Sequence, residues 1–228
     1  MDIIDNYLSG ATFCKHSKPQ KLIVMLHGYG DNAENFINLA SLIDNNSWKA
    51  KYLALNGPEP VPNYPTGNQW FNLYPNGIYI TDAGIEEIQI IRKSILFSIK
   101  KIESTIIHNL KNLKLEIKDC ILLGFSQGAM MVFELGKFLP ESFGGLAMLS
   151  GRIIEKQPIV NNFLIKTPIF ISHGSMDEVL PIDNFYKSIK YFKKNNCNFE
   201  SHELREDTHT ISTKAINLLQ IFIKKTMM

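Results

Sequence analysis

The stretch Cys120-Ile121-Leu122-Leu123-Gly124-Phe125-Ser126-Gln127-Gly128-Ala129-Met130-Met131 decides the fold. It opens with a short apolar run without polar alternation, as in a strand covered on both faces. Gly124-Phe125-Ser126-Gln127-Gly128 then matches G-x-S-x-G, and a helical stretch, Gln127–Leu139, follows until Pro140 ends it. Strand, G-x-S-x-G and helix in that order are the parts of a nucleophile elbow. The glycines are needed because side chains two residues either side of the serine would collide with neighbouring backbone. Such a turn lifts the Ser126 hydroxyl out of the sheet. It also sets the hydroxyl near a helix N-terminus, where the positive end of the dipole favours developing negative charge.

Outward from this centre, short β-like runs alternate with helical ones. Lys21–His27 reads as a second buried strand, since Leu22, Ile23, Val24, Met25 and Leu26 run without interruption. Asp31, Asn32 and Glu34 supply N-cap chemistry for a helix near Ala33–Ile43. Lys51–Asn56, Gly145–Ser150, Pro168–His173 and Phe199–Leu204 read as further strands, and Ile182–Lys194 and Ile211–Lys225 as helices. Ile85, Ile88, Ile91, Ile95, Ile99, Ile102 and Ile106 recur at steps of three and four, which makes Ile85–Leu110 a long amphipathic helix. This rhythm means an α/β fold: a mostly parallel central sheet with helices on both faces. No composition shift suggests a second domain, so residues 1–228 read as one.

Gly57–Gly84 differs in kind. It holds five prolines (Pro58, Pro60, Pro62, Pro65, Pro75) beside Tyr64, Trp70, Phe71, Tyr74 and Tyr79. Long irregular connections are usually functional, and disordered ones are poor in aromatics. The segment reads as an ordered loop lining a binding site.

Composition excludes several classes. With 228 residues, 45% hydrophobic and 20% charged, the chain can bury a large core and is neither disordered nor collagen-like. A net charge of +2 offers no field for nucleic acid or anionic lipid. No apolar run approaches the roughly 18 residues of a membrane span. An N-terminus carrying Asp2 and Asp5 and no early basic residue does not read as a secretory signal. Cys14, Cys120 and Cys197 are too few and too scattered for a disulfide framework or thiolate metal site. A reducing cytoplasm is the simplest setting, with Cys120 in the core.

A serine needs a base oriented by a carboxylate, and after an elbow the order along the chain is Ser, acid, His. His16, His27 and His108 precede Ser126. His173 has only Glu134, Glu141 and Glu155 between itself and the serine, and His202 lies inside a presumed strand. His209, in the polar connection Arg205–Thr210, is the base. Asp177 leaves the strand Pro168–His173 at the same sheet edge and is the orienting acid. Glu178 is an adjacent alternative, and Asp183 reads as an early helix residue. The oxyanion donors are the backbone amides of Gln127 and of Tyr29, in the loop His27-Gly28-Tyr29-Gly30-Asp31. His27 itself reads as a hydrogen-bonded structural histidine, with no second ligand at metal spacing.

The sequence resembles the phospholipase/carboxylesterase family of α/β-hydrolases, which includes acyl-protein thioesterases. The resemblance rests on Leu26-His27-Gly28-Tyr29-Gly30-Asp31, Gly124–Met130, Leu149-Ser150-Gly151-Arg152, His173-Gly174-Ser175-Met176-Asp177 and the segment around Gln69-Trp70-Phe71. It implies the α/β-hydrolase fold, the triad Ser126, Asp177 and His209, and esterase or thioesterase action without cofactor or metal. One departure stands out. Family members commonly place a glycine before the histidine and a glutamate after it, whereas His209 lies between Thr208 and Thr210.

The expected activity is hydrolysis of a carboxylic ester or thioester through an acyl-enzyme on Ser126. The substrate is a small ester, a lysophospholipid or an acylated protein. The same triad acting on amides or lactones, or a ligand-binding member without turnover, are the rival readings. At this length no separate cap domain is expected. Tyr29, Trp70, Phe71 and Tyr74 would form an apolar wall for an acyl chain, and the exposed aromatic loop is also a possible homodimer face.

Overall fold

The computed structural model describes residues 7–154 and 162–227. A seven-stranded sheet runs in the order β1-β3-β2-β6-β7-β8-β9. These strands are Gly10–Cys14 (β1), Lys21–Leu26 (β2), Ala50–Leu55 (β3), Cys120–Phe125 (β6), Gly145–Leu149 (β7), Ile169–Gly174 (β8) and Phe199–Leu204 (β9). All neighbours pair in parallel except β1, which runs antiparallel to β3 along the edge.

The apolar runs are continuous because each face of the sheet is covered. Leu22, Val24, Leu26 and Leu122 pack on one side, while Ile23, Met25, Ile121 and Leu123 pack on the other. The first side is closed by α3 (Ile85–Leu113), α4 (Gln127–Phe138) and α6 (Asp183–Lys194). The second is closed by α1 (Ala33–Phe36), α2 (Asn38–Ile43) and α7 (Thr213–Met227). A further short helix, α5 (Asn162–Lys166), precedes β8. Among the described residues no helix is long and apolar enough to cross a membrane.

Three expectations change, and one strand was not foreseen. The helix expected over Ala33–Ile43 is two short helices. Asn32 caps the first, its side chain accepting from the Asn35 amide at 2.9 Å, and the second begins at Asn38. The apolar stripe of α3 begins later than expected: Ile85 is 84% exposed, and continuous burial starts near Ile91. β1 was not legible, because Gly10-Ala11-Thr12-Phe13-Cys14 only alternates weakly and gains its identity by pairing with β3. The segment Gly57–Gly84 holds a hairpin, β4 (Glu59–Val61) with β5 (Tyr64–Gln69), rather than an irregular loop.

The chain passes from β2 out to β3 on one side and returns to β6 on the other. That reversal lies at the carboxyl ends of β2 and β6, the place where open parallel sheets bind ligands. The loop carrying Tyr29 follows β2 and Ser126 follows β6, so the topology brings them side by side.

Candidate active site

Ser126 has φ 54° and ψ −116°, a conformation few L-residues adopt. Its surroundings over-determine that strain of roughly 1–3 kcal/mol. The Ser126 amide donates to the Leu149 carbonyl at 2.9 Å, tying the turn to β7. A Cβ on Gly128 would lie 1.9 Å from the Leu26 carbonyl oxygen, and one on Gly124 would lie 2.3 Å from that of Gly128. Both glycines are therefore fixed by backbone approach, as the motif required.

Three segments distant in the chain meet at this turn. His209 Nε2 lies 2.9 Å from Ser126 Oγ, and His209 Nδ1 lies 2.7 Å from Asp177 Oδ2. Asp177 Oδ1 accepts from the amides of Val179 and Leu180 at 3.0 and 2.7 Å. Glu178, the open alternative, has no hydrogen bond to the imidazole among the described residues. Burial by itself would raise the Asp177 pKa. Hydrogen bonds from His173, His209 and the Leu180 amide outweigh this and hold the carboxyl well below the usual carboxylate range. The ionised form of Asp177 is thus favoured beside Nδ1, an arrangement that can keep the proton there and leave Nε2 able to accept one from Ser126.

The loop around His209 is held without flanking Gly and Glu. The Thr210 amide donates to the Thr208 carbonyl at 2.9 Å across His209, Met176 donates to Asp207 at 2.9 Å, and Glu206 donates to Ser175 Oγ at 2.9 Å. These bonds stitch the connection after β9, which carries His209, to the one after β8, which carries Asp177. The Phe125 ring packs against the imidazole, with centroids 4.9 Å apart.

The Tyr29 loop lies against the elbow: a Cβ on Gly28 would stand 3.5 Å from Ser126 Cβ. The hairpin secures it, with the Gly30 amide donating to Asn68 at 2.9 Å and the Asn68 amide to Asp31 at 2.8 Å. Gln127 opens α4, so its amide has no acceptor within the helix. His27 is the hydrogen-bonded buried residue that was expected. Its Nε2 accepts from the Gly57 amide at 3.1 Å, which places the proton on Nδ1, 2.7 Å from the Gly28 carbonyl. Burial lowers its pKa, against the opposing hydrogen bond to Gly28.

The expected apolar wall is corrected in two of its four members. Tyr29 and Tyr74 do face one another, with centroids 6.5 Å apart, and Tyr79 continues the row 5.1 Å from Tyr74. Trp70 and Phe71 are instead buried, at 1% and 0% exposure. Trp70 Nε1 donates to the His27 carbonyl at 2.8 Å, and the Ser98 hydroxyl donates to the Trp70 carbonyl. The Gln127 side chain accepts from the Trp70 amide at 3.0 Å and donates to the Phe71 carbonyl at 2.7 Å. These contacts make Trp70 and Phe71 the anchor of the segment, not its exposed face.

Two contributors escaped the sequence reading. One is the Gln127 side chain, whose amide matches the two free backbone groups of Trp70 and Phe71. The other is His173, fully buried, with Nε2 at 2.7 Å from the Leu180 carbonyl and 3.1 Å from Asp177 Oδ2. Its place at the end of β8, four residues before Asp177, was the available signal.

Residues 9–227 match the family described as phospholipase/carboxylesterase. Acyl-protein thioesterase 1 of Saccharomyces cerevisiae is 28% identical over 224 residues, which cover 91% of this chain and 93% of the yeast protein. The carboxylesterase SOBER1 of Arabidopsis thaliana is 25% identical over 213 residues, 90% of each chain. The crystal structure of esterase PE8 superposes with a TM-score of 0.85 over 96% of this chain and 99% of that one, at 23% identity, a likeness of fold. With the elbow, the sheet order and the match over residues 9–227 in agreement, this chain belongs to the phospholipase/carboxylesterase family of α/β-hydrolases, enzymes that act on ester bonds.

Proposed function

We propose that this protein cleaves carboxylic esters or thioesters through an acyl-enzyme on Ser126. The observation that carries the reading is the unbroken hydrogen-bonded chain Ser126–His209–Asp177 at the carboxyl edge of the sheet. Ser126 Oγ attacks the acyl carbon as His209 Nε2 takes its proton, and the Asp177 carboxylate stabilises the imidazolium that forms. The new oxyanion is received by the amides of Tyr29 and Gln127, at the positive end of α4. Collapse breaks the bond to the alcohol or thiol, which leaves with the proton from His209. A water molecule then repeats the sequence: His209 takes its proton, its oxygen attacks the acyl carbon, and Ser126 is released with the free acid.

Tyr29, Tyr74 and Tyr79 offer an apolar row beside the reacting serine, so an acyl chain gains about 0.8 kcal/mol for each methylene it buries there. Medium acyl chains are therefore turned over better than acetate. The test is a chain-length series of chromogenic esters and thioesters, run beside Ser126→Ala. Turnover should rise with chain length, and Ser126→Ala should lose about 10⁴-fold or more in kcat and all labelling by a fluorophosphonate. Retained turnover in Ser126→Ala would remove Ser126 as nucleophile, and failure of the wild type to label would favour a protein that binds without turnover.

A further inference from the structure

Arg152 has no part in the reaction above, yet it stands beside it. It follows the Leu149-Ser150-Gly151 turn at the end of β7. A Cβ on Gly151 would lie 2.5 Å from Ala129 Cβ and 3.3 Å from the Ser126 carbonyl oxygen. The Arg152 backbone is thereby held against the elbow.

The side chain is unusual. Arg152 Nε is buried and makes no hydrogen bond, and among the described residues the guanidinium has no ion-pair partner. Burial pushes its pKa below the ordinary value, and the ionisable neighbour that opposes this is Tyr79. Arg152 as a whole is half-buried, and a guanidinium partly withdrawn from water, with no counter-charge among the described residues, loses hydration that an anion would restore. Its planar fork of donors suits a carboxylate or phosphate.

The space beside it is large enough for such a group. Arg152 lines a cavity of about 590 Å³ with Ile80, Ile153, Pro181, Asp183 and Lys187. Two cations and one carboxylate leave the charged lining positive, and Asp183 lies in the first turn of α6, beyond Pro181. Two segments of the site lead, along the chain, into the wall of this cavity. The tyrosine row that starts at Tyr29 ends at Tyr79, and the next residues, Ile80 and Thr81, line the cavity. On its other side Pro181 follows the turn that carries Asp177 and Leu180.

We propose that Arg152 anchors an oxyanion subsite, and that preferred substrates carry a second acidic group, a carboxylate or phosphate, beyond the ester cleaved at Ser126. This rests on the hydrolase reading above. The methylenes of such a substrate lie along the tyrosine row, and the acidic group exchanges its hydration for the guanidinium.

The experiment compares kcat/KM for acidic and uncharged esters of equal length, in two arms. In the first, p-nitrophenyl esters of four- to eight-carbon acyl chains end in a carboxylate or in a methyl group. In the second, medium-chain monoesters of glycerol phosphate are set against those of glycerol. In one arm the acidic ester should be favoured roughly ten- to a hundredfold, the worth of one charge-assisted contact. That arm tells whether the acid lies on the acyl or the leaving side. Arg152→Met should bring the ratio close to one, and Arg152→Lys should keep part of it. No preference in either arm of the wild type, or an unchanged ratio in Arg152→Met, overturns the subsite while leaving the hydrolase reading intact. Should Arg152→Met fail to fold, the wild-type ratio and Arg152→Lys decide. Absence of turnover with every ester would instead overturn the hydrolase reading and this inference with it.

Discussion

His173 Nε2 lies 3.1 Å from Asp177 Oδ2, the same oxygen that receives His209 Nδ1 at 2.7 Å, and the side chains of His173 and Asp177 are both sealed from solvent. Since Nε2 also faces the Leu180 carbonyl at 2.7 Å, it must carry its hydrogen and donate to both acceptors. His173 therefore holds the carboxylate that holds His209.

Removing that donor should show in catalysis more than in binding. His173→Phe loses one hydrogen bond to a buried anion, worth about 1.5–3 kcal/mol, and should lower kcat roughly ten- to a hundredfold with KM little changed. His173→Gln, which retains a donor, should recover part of the loss. The rate of Ser126 labelling by a fluorophosphonate reads the same effect without turnover. Equal kcat in wild type and His173→Phe would refute the positioning role.

Gln127 is expected to matter twice, through its amide and through its side chain. Gln127→Leu keeps the amide but strands the Trp70 N–H and the Phe71 carbonyl, both inside the core. Two unsatisfied buried groups cost about 2–5 kcal/mol. Gln127→Glu still accepts from Trp70 but confronts the Phe71 carbonyl with an oxygen. Urea unfolding should show a large loss for both variants. A loss below about 0.5 kcal/mol, the level of an ordinary surface change, would show the strap to be dispensable.

Acid should unfold this protein in two stages. The neutral ring of buried His27 has a lowered pKa, so its contribution is complete above the ordinary value of 6.5 and is lost as pH falls below it. Asp177 is depressed too, so its contribution is complete above the ordinary 3.8 and disappears below that. The melting temperature should be level above about pH 7, decline from there, and fall more steeply below about pH 4. His27→Gln should flatten the first decline and Asp177→Asn the second. Curves parallel to the wild type at every pH would contradict both assignments.

Much of this was legible because it is written in short-range pattern. Uninterrupted apolar runs of five or six residues mark strands covered on both faces, and β2 and β6 fall where the pattern placed them. Chain order selected Ser126, Asp177 and His209 because parallel strands deliver their following loops to one edge. Trp70 was misplaced for the opposite reason. An aromatic residue in a proline-rich segment looks the same whether it faces solvent or core. Its burial depends on a carbonyl at His27, 43 residues away, and on an amide at Gln127, 57 residues away.

By itself the chain determined the class of fold and singled out Ser126 and the chain order of its proposed helpers, since periodicity, steric demand for glycine and strand polarity are local properties. Only the folded molecule decided between Asp177 and its neighbour, and it paired β1 with β3. It also turned Trp70 inward, set His173 behind Asp177 and left Arg152 facing a cavity without a partner among the described residues. Those outcomes depend on which polar atoms come within about 3 Å of one another after the sheet closes. Residues tens of positions apart share no pattern from which that distance can be read.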